Sequence, residues 1–322
     1  MIPRRTAGRA LLALALAVPL FAAAQSYPTK PVNLIVPFPP GGATDVIARM
    51  VAEKLAVKWG QPVVVTNKPG AGTLLAAEQV ARAPGDGYTL YMTTASHTIS
   101  ANLYKKVPYD AIKDFTPVTL ISTIPLVLVT TPSVPAKTLP ELIAYARANR
   151  GMSFASSGNG TPPHLTMELF KARNNLDLTH IPYKGDTPML TDLLGGQVQM
   201  AFMTLSAVLP QIKAGKLKAI AVAHAKRVEA IPAVPTVQES GMPGFLSATW
   251  FGIYGPGTLQ ADLTQRIYRD VAQIVAVPEF TAKLKEMGGE VDNSTPQAFQ
   301  VHVDAEMKRW AEAVRLSGAQ VN

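Results

Sequence analysis

The sequence predicts an α/β protein of two lobes, with mainly parallel sheets flanked by helices. Three observations carry that expectation. From Pro31 onward, short β-branched runs alternate with longer amphipathic stretches, the pattern of strands feeding crossover helices. Several strand-to-helix junctions are small, polar and rich in glycine. A chain of 322 residues with 48% hydrophobic content can bury more core than one lobe needs.

The first element precedes the lobes. Arg4, Arg5 and Arg9 lead into the apolar run 10–21, which ends in Ala22, Ala23 and Ala24. Residues 1–24 therefore read as a cleaved secretory signal, and the chain from Gln25 as a periplasmic protein. The run is shorter than the ~20 residues a spanning helix requires, and Pro19 interrupts it. Arg4-Arg5 lacks the apolar continuation of a twin-arginine signal, so Sec-type export is expected.

In the first lobe, residues 32–36 read as a strand. Residues 45–58 read as a helix with Ile47, Met50, Val51 and Leu55 on one face, Thr44 or Asp45 as its cap and Gly60 as its stop. Residues 63–65 lead through Asn67-Lys68-Pro69-Gly70-Ala71-Gly72 into a helix near 74–83, and residues 88–94 form a third strand. A second series starts with the apolar run 126–129. Residues 138–150 form a helix because Thr138 and Glu141 have capping-box spacing and Gly151 stands at the stop. Then follow a strand at 152–156, a helix near 164–172, a strand to 183, a helix near 188–194, and strands near 198–203 and 217–223. Residues 230–245, rich in Pro and Gly, return the chain, after which a strand at 250–254 and two helices are expected. The lobes are placed at 25–127 with 249–322, and at 128–248, joined by two crossovers that form a hinge.

Composition excludes several functions. Removing the leader takes three of the thirty basic residues and leaves 27 against 22 acids, a net charge of +5. No basic run alternates with aromatics, which argues against nucleic acid. There is no cysteine, no HExxH and no cluster of closely spaced acids, so neither a metal nor another cofactor is expected. No GxSxG elbow occurs, and Ser156 or Ser157 with His164 lacks an orienting carboxylate nearby in sequence, so no enzyme is expected.

The chemistry is expected in the loops. Residues 38–44, with Gly41, Gly42 and Thr44, lie between a strand and a helix start, where unpaired N–H groups and the helix dipole favour an anion or where two glycines merely permit a turn. Residues 67–73 form a similar loop opening on the same sheet edge, and residues 93–97 bring hydroxyls and His97 to that rim. In the second lobe, residues 156–164 repeat the theme, with Thr161 as a candidate cap. Lys184 either pairs with Asp186 or faces a ligand.

Six segments in order then carry a resemblance: Tyr27-Pro28-Thr29-Lys30-Pro31, Val36-Pro37-Phe38-Pro39-Pro40-Gly41-Gly42, Asn67-Lys68-Pro69-Gly70-Ala71-Gly72, Asp114-Phe115-Thr116-Pro117-Val118, Tyr183-Lys184-Gly185 and Asp192-Leu193-Leu194-Gly195-Gly196-Gln197-Val198. With these the chain resembles the Bug-type (TctC-like) periplasmic substrate-binding proteins of tripartite tricarboxylate transporters. The resemblance implies a Venus-flytrap fold that closes on a small carboxylate and delivers it, as a monomer, to a membrane pair of one large and one small subunit. A loaded receptor that signals to a sensor kinase is the alternative. The ligand-binding roles it implies fall on Gly41, Gly42, Thr44, Asn67, Gly70, Ala71 and Ser96 in the first lobe. In the second they fall on Ser157, Asn159, Thr161, His164, Tyr183 and Lys184.

One departure bears on the ligand. Where relatives often carry an acid or amide, this chain has Met203. Either Met203 points into the core or it meets the ligand. In the second case it favours a carboxylate without a cationic group, such as an aromatic mono- or dicarboxylate, over an amino acid, with an aliphatic di- or tricarboxylic acid as the alternative.

Overall fold

A computed structural model describes residues 27–321. The leader expected at residues 1–24 lies outside the described residues. Two lobes share one long sheet with the strand order β2-β1-β3-β9-β4-β7-β5-β6, to which β8 and β10 add by pairing with β4.

The first lobe opens with β1 (Val32–Val36), α1 (Ala43–Trp59), β2 (Val63–Asn67), α2 (Leu74–Ala81), β3 (Thr89–Thr94) and α3 (Ser96–Leu103). Then β4 (Phe115–Thr130) runs sixteen residues through both lobes. In the second lobe follow α4 (Leu139–Ala148), β5 (Met152–Ser156), α5 (Pro162–Asn174), β6 (Leu178–Pro182), α6 (Asp186–Leu194), β7 (Met200–Thr204), α7 (Leu205–Lys213) and β8 (Lys218–Val222). The chain returns through β9 (Ala248–Pro256), α8 (Ala261–Val275), α9 (Pro278–Glu286), β10 (Glu290–Val291) and α10 (Pro296–Ser317). Helices α3 and α7 carry no clear signal in the sequence, and three closing helices occur where two are expected.

Among the named strands, parallel pairing is confined to the flanks, β2-β1-β3 and β6-β5-β7. The strands at the centre are antiparallel, because β4 and β9 carry the chain in opposite directions between the lobes. The sheet is therefore mixed and not mainly parallel. Residues 115–125 of β4 pair with β9 and β10, and residues 126–130 pair with β7 and β8. Pro125, which has no N–H to donate, stands where the partners change. Pro117 lies beside a shift of register, the kind of place where a strand tolerates proline.

Side chains alternate across β4. Leu126 and Leu128 enter the core under α4 and α5 with Phe154, Phe170 and Phe202, whereas Val127 and Val129 face the core of α1, α6, α7 and α8. A third cluster holds Tyr91, Phe115, Trp250, Phe299 and Trp310 under α10. At its edge the buried carboxylate of Glu306 accepts from the indole N–H groups of Trp250 (3.0 Å) and Trp310 (2.7 Å) and pairs with Arg309.

Thr138 caps α4 as its spacing implied: its hydroxyl accepts from Glu141 N–H at 3.4 Å, while the Glu141 carboxylate reaches one residue further out, to Lys137 N–H. The start of α1 differs from expectation. Gly42 is the N-cap, and Asp45 inside the first turn accepts from Gly41 N–H at 3.0 Å. No helix among the described residues is long and apolar enough to cross a membrane.

Candidate functional site

The carboxyl ends of β1, β2 and β3 face those of β5, β6 and β7, so each strand-to-helix loop opens on the same gap between the lobes. Two cavities occupy it. The inner one, about 30 Å³, is lined from the first lobe by Phe38, Pro39, Gly42, Ala43, Thr44 and Thr94, with Thr249 and Phe251 of β9 at the floor. The second lobe contributes Ser157, Thr161, Pro162, Pro163, Gly185, Asp186, Thr187 and Thr204. A neighbouring cavity of about 280 Å³ lies between residues 69–73 with Tyr104 and residues 157–159 with Thr161, Tyr183 and Lys184. Phe38, Pro39, Ser157 and Thr161 belong to both walls.

Of the residues expected to bind, Gly42, Thr44, Ser157 and Thr161 reach the inner cavity, and Gly70, Ala71, Asn159, Tyr183 and Lys184 reach the outer one. The others stand behind the walls. Asn67 donates to Phe38 carbonyl and to Asp45 Oδ1, both at 2.9 Å, and accepts from Arg49 at 3.1 Å, so its side chain fixes the β1–α1 loop. Gly41 spends its N–H on Asp45. Burial opposes ionisation of Asp45, but hydrogen bonds from Arg49, Gly41 and Asn67 outweigh it and hold the carboxyl below its ordinary range. Ser96 is fully buried, its N–H and hydroxyl engaged with Thr94, and Thr94 takes the place at the wall.

His164 also lies behind the wall. Its ring stacks on His180 at 4.2 Å, and Nδ1 accepts from Gly160 N–H at 3.4 Å. Ser156 Oγ and His180 Nε2 are 2.6 Å apart. Burial lowers the His164 pKa to about 3, with His180 and Lys171 adding to the effect, and lowers that of His180 to about 4, with Lys171 adding. His97 is buried among Tyr91, Tyr109, Phe115 and Tyr254, with Nε2 at 2.8 Å from the Ala111 carbonyl, and is absent from the rim where sequence placed it. Thr161 is the N-cap of α5, yet its hydroxyl donates to Gly158 carbonyl at 2.7 Å and does not cap the helix. The Tyr183 hydroxyl is committed to Asp192 at 2.7 Å.

Met203 is fully buried opposite Val127, on the face of β7 covered by α6 and α7. Its neighbour Thr204 turns to the cavity instead. The case for an aromatic ligand that rested on Met203 facing the ligand therefore lapses. Thr94 lines the cavity as one of the hydroxyls expected at the rim; Asp186, expected only as a partner for Lys184, and Thr187, Thr204 and Thr249 line it as well.

The lobes meet closely around this gap. A Cβ on Gly185, whose φ is +115°, would lie 3.0 Å from Pro39 Cδ across the gap. A Cβ on Gly72 (φ 57°) would lie 2.8 Å from the Asn159 carbonyl. Both positions need glycine for backbone angle; at Gly185 the opposite lobe fills the space, and at Gly72 Tyr104 of the same lobe crowds it together with Asn159.

The sequence pattern of the "Tripartite tricarboxylate transporter family receptor" matches residues 47–318. The chain belongs to this family. Three solved structures place the receptor fold beside it. An R. palustris protein solved with adipate is 36% identical, with a TM-score of 0.88 over 92% of this chain and 100% of that one. The periplasmic binding protein BugD is 35% identical, with a TM-score of 0.87 over 91% and 99% of the two chains. MatC from Rhodopseudomonas palustris, solved with bound malate, is 31% identical, with a TM-score of 0.86 over 89% and 100%. The family is one of periplasmic receptors, not of enzymes.

Proposed function

We propose that the chain is a periplasmic solute receptor that captures a small carboxylate between its lobes and delivers it to the membrane subunits of a tripartite tricarboxylate transporter. Residues 1–24 serve as the cleaved export signal. One observation carries this reading: helix starts from both lobes, α1 with Gly42 and α6 with Gly185, converge with the hydroxyls of Thr44, Ser157, Thr161 and Thr204 on one gap. Helix starts and hydroxyls grip an anion without needing a basic side chain.

Relatives solved with adipate and with malate support an aliphatic dicarboxylate over an aromatic one. The inner cavity has room for only about two waters, so the ligand enters when the lobes part and they close again around it. The lobes, 25–127 with 249–322 and 128–248, turn about the middle of β4 and the return near residues 247–248. A thermal-shift screen of residues 25–322 against aliphatic and aromatic carboxylates and amino acids tests the reading. A ligand at one hundred times its Kd raises stability by about 2.7 kcal/mol. A midpoint that no carboxylate moves would count against a carboxylate receptor.

A further inference from the structure

Asp186 opens α6, yet its side chain turns into the gap between the lobes. Among the residues lining the inner cavity it is the single ionisable one, surrounded by Phe38, Pro39, Pro162, Pro163 and Phe251 as well as by hydroxyls. Ser157 shares the cavity wall with it, and Oδ2 lies 3.8 Å from where a Cβ on Gly42 would stand. Gly42 is the N-cap of α1 in the opposite lobe, so the carboxyl of one lobe faces the anion-attracting helix start of the other. Burial pushes this carboxyl up to about 6, with the Ser157 hydroxyl opposing the rise.

A ligand carboxylate drawn to the α1 start thus arrives beside a protein carboxyl in a confined space. A carboxylate with no other polar group sets two like-charged groups together, or demands that Asp186 hold a proton. A ligand that brings a donor to Asp186 turns the same contact into attraction. Arg49 on α1 is paired with Asp45 and Asn67.

Resting on the carboxylate-receptor reading above, we infer that Asp186 is the specificity-determining residue of the site and selects carboxylates that carry a hydrogen-bond donor, a hydroxyl or a protonated amine, next to the carboxylate held at α1. Met203 is buried away from the gap, and the carboxyl that reaches it comes from α6.

The test is titration calorimetry of residues 25–322 with matched acids: succinate, malate and aspartate, then adipate, 2-hydroxyadipate and 2-aminoadipate. At neutral pH a donor-bearing acid should bind about tenfold or more tighter than its unsubstituted partner. Asp186→Ala should erase that preference and bind the unsubstituted acid more tightly than the native chain does, because the opposing carboxyl is gone. Asp186→Asn, close in size, guards against misfolding and separates the two donors: its amide oxygen still accepts from a hydroxyl, but it carries no charge for an ammonium. Unsubstituted acids that bind the native chain as tightly as their substituted partners would overturn the inference, as would a preference that survives Asp186→Ala. Absence of binding by every acid would instead overturn the receptor reading on which it rests.

Discussion

The hydroxyls of Thr204 and Thr249 lie 3.3 Å apart at the floor of the cavity, one at the end of β7 and the other near the start of β9. Both residues are buried, and each belongs to a strand that pairs with β4 on a different side of Pro125. The contact therefore joins strands that lie on either side of the point where β4 changes partners. Replacing Thr204 or Thr249 by Val keeps volume and removes one partner of a buried pair, for a loss of about 1 kcal/mol in urea unfolding. The double variant should lose less than the sum of the two, and full additivity would show that the hydroxyls do not interact.

Gly185 stands where the β6–α6 turn meets Pro39 of the β1–α1 loop. Gly185→Ala places a methyl 3.0 Å from Pro39 Cδ at a positive φ that alanine resists. Affinity for the cognate carboxylate should fall about tenfold or more while the cooperative unfolding transition is kept. Measuring Kd together with the radius of gyration of the loaded protein separates blocked closure from misfolding, and an Ala variant with native affinity would remove Gly185 from the closing contact.

Asn67 acts on the site through the loop it holds. Asn67→Ala breaks its bonds to Phe38 carbonyl and Asp45 and should cost roughly 1–3 kcal/mol in stability. A variant with native stability but lost binding would show instead that Asn67 touches the ligand.

Closure should depend on pH through Asp186. Its pKa is raised to about 6 when the lobes are together and returns toward the ordinary carboxylate value when they part. The closed form then holds the extra proton, so acidification from neutrality through about pH 6 favours closure without ligand, and the effect is complete below about pH 4. Facing groups on the packed elements are Thr44, Thr187 and Ser157, which do not titrate in this range, and the α1 start, which favours the ionised form. Small-angle scattering should show contraction on acidification in the native chain and none in Asp186→Asn.

Fold stability should move the other way with the stacked histidines. The pKa values of His164 and His180 are lowered by burial to about 3 and about 4, so the unfolded chain binds more protons between those values and its ordinary histidine range. Their contribution is complete above about pH 6.5 and is lost progressively as pH falls toward 4. His180→Gln keeps a partner for Ser156 without a titrating ring and should flatten the acid limb of the midpoint-versus-pH curve. An unchanged limb would place the acid sensitivity elsewhere.

Period-two runs and glycine-rich junctions in the sequence locate most strands and the loops that ring the gap, because a strand end followed by Gly and a helix start has few other uses. The long strand β4 was legible only in its apolar half, 126–129. Pro117 and Pro125 argue against a strand locally, and they are tolerated because one lies beside a register shift and the other where the pairing partners change. Asn67, Ser96 and His164 were legible as loop residues but not as supports of the loop, since their partners Asp45, Thr94 and His180 come from tertiary packing. Met203 and Thr204 show the limit most clearly. Alternation puts them on opposite faces of β7, but helices cover both faces of that sheet, so nothing local tells which neighbour meets the gap.

Titration calorimetry of residues 25–322 with dicarboxylates from malate to adipate in size, on the native chain and on Ser157→Ala and Gly185→Ala, bears most directly on carboxylate capture between the lobes. One saturable site, weakened in both variants, is the expected result. Heats no larger than dilution for every acid, or binding that both substitutions leave untouched, would contradict it.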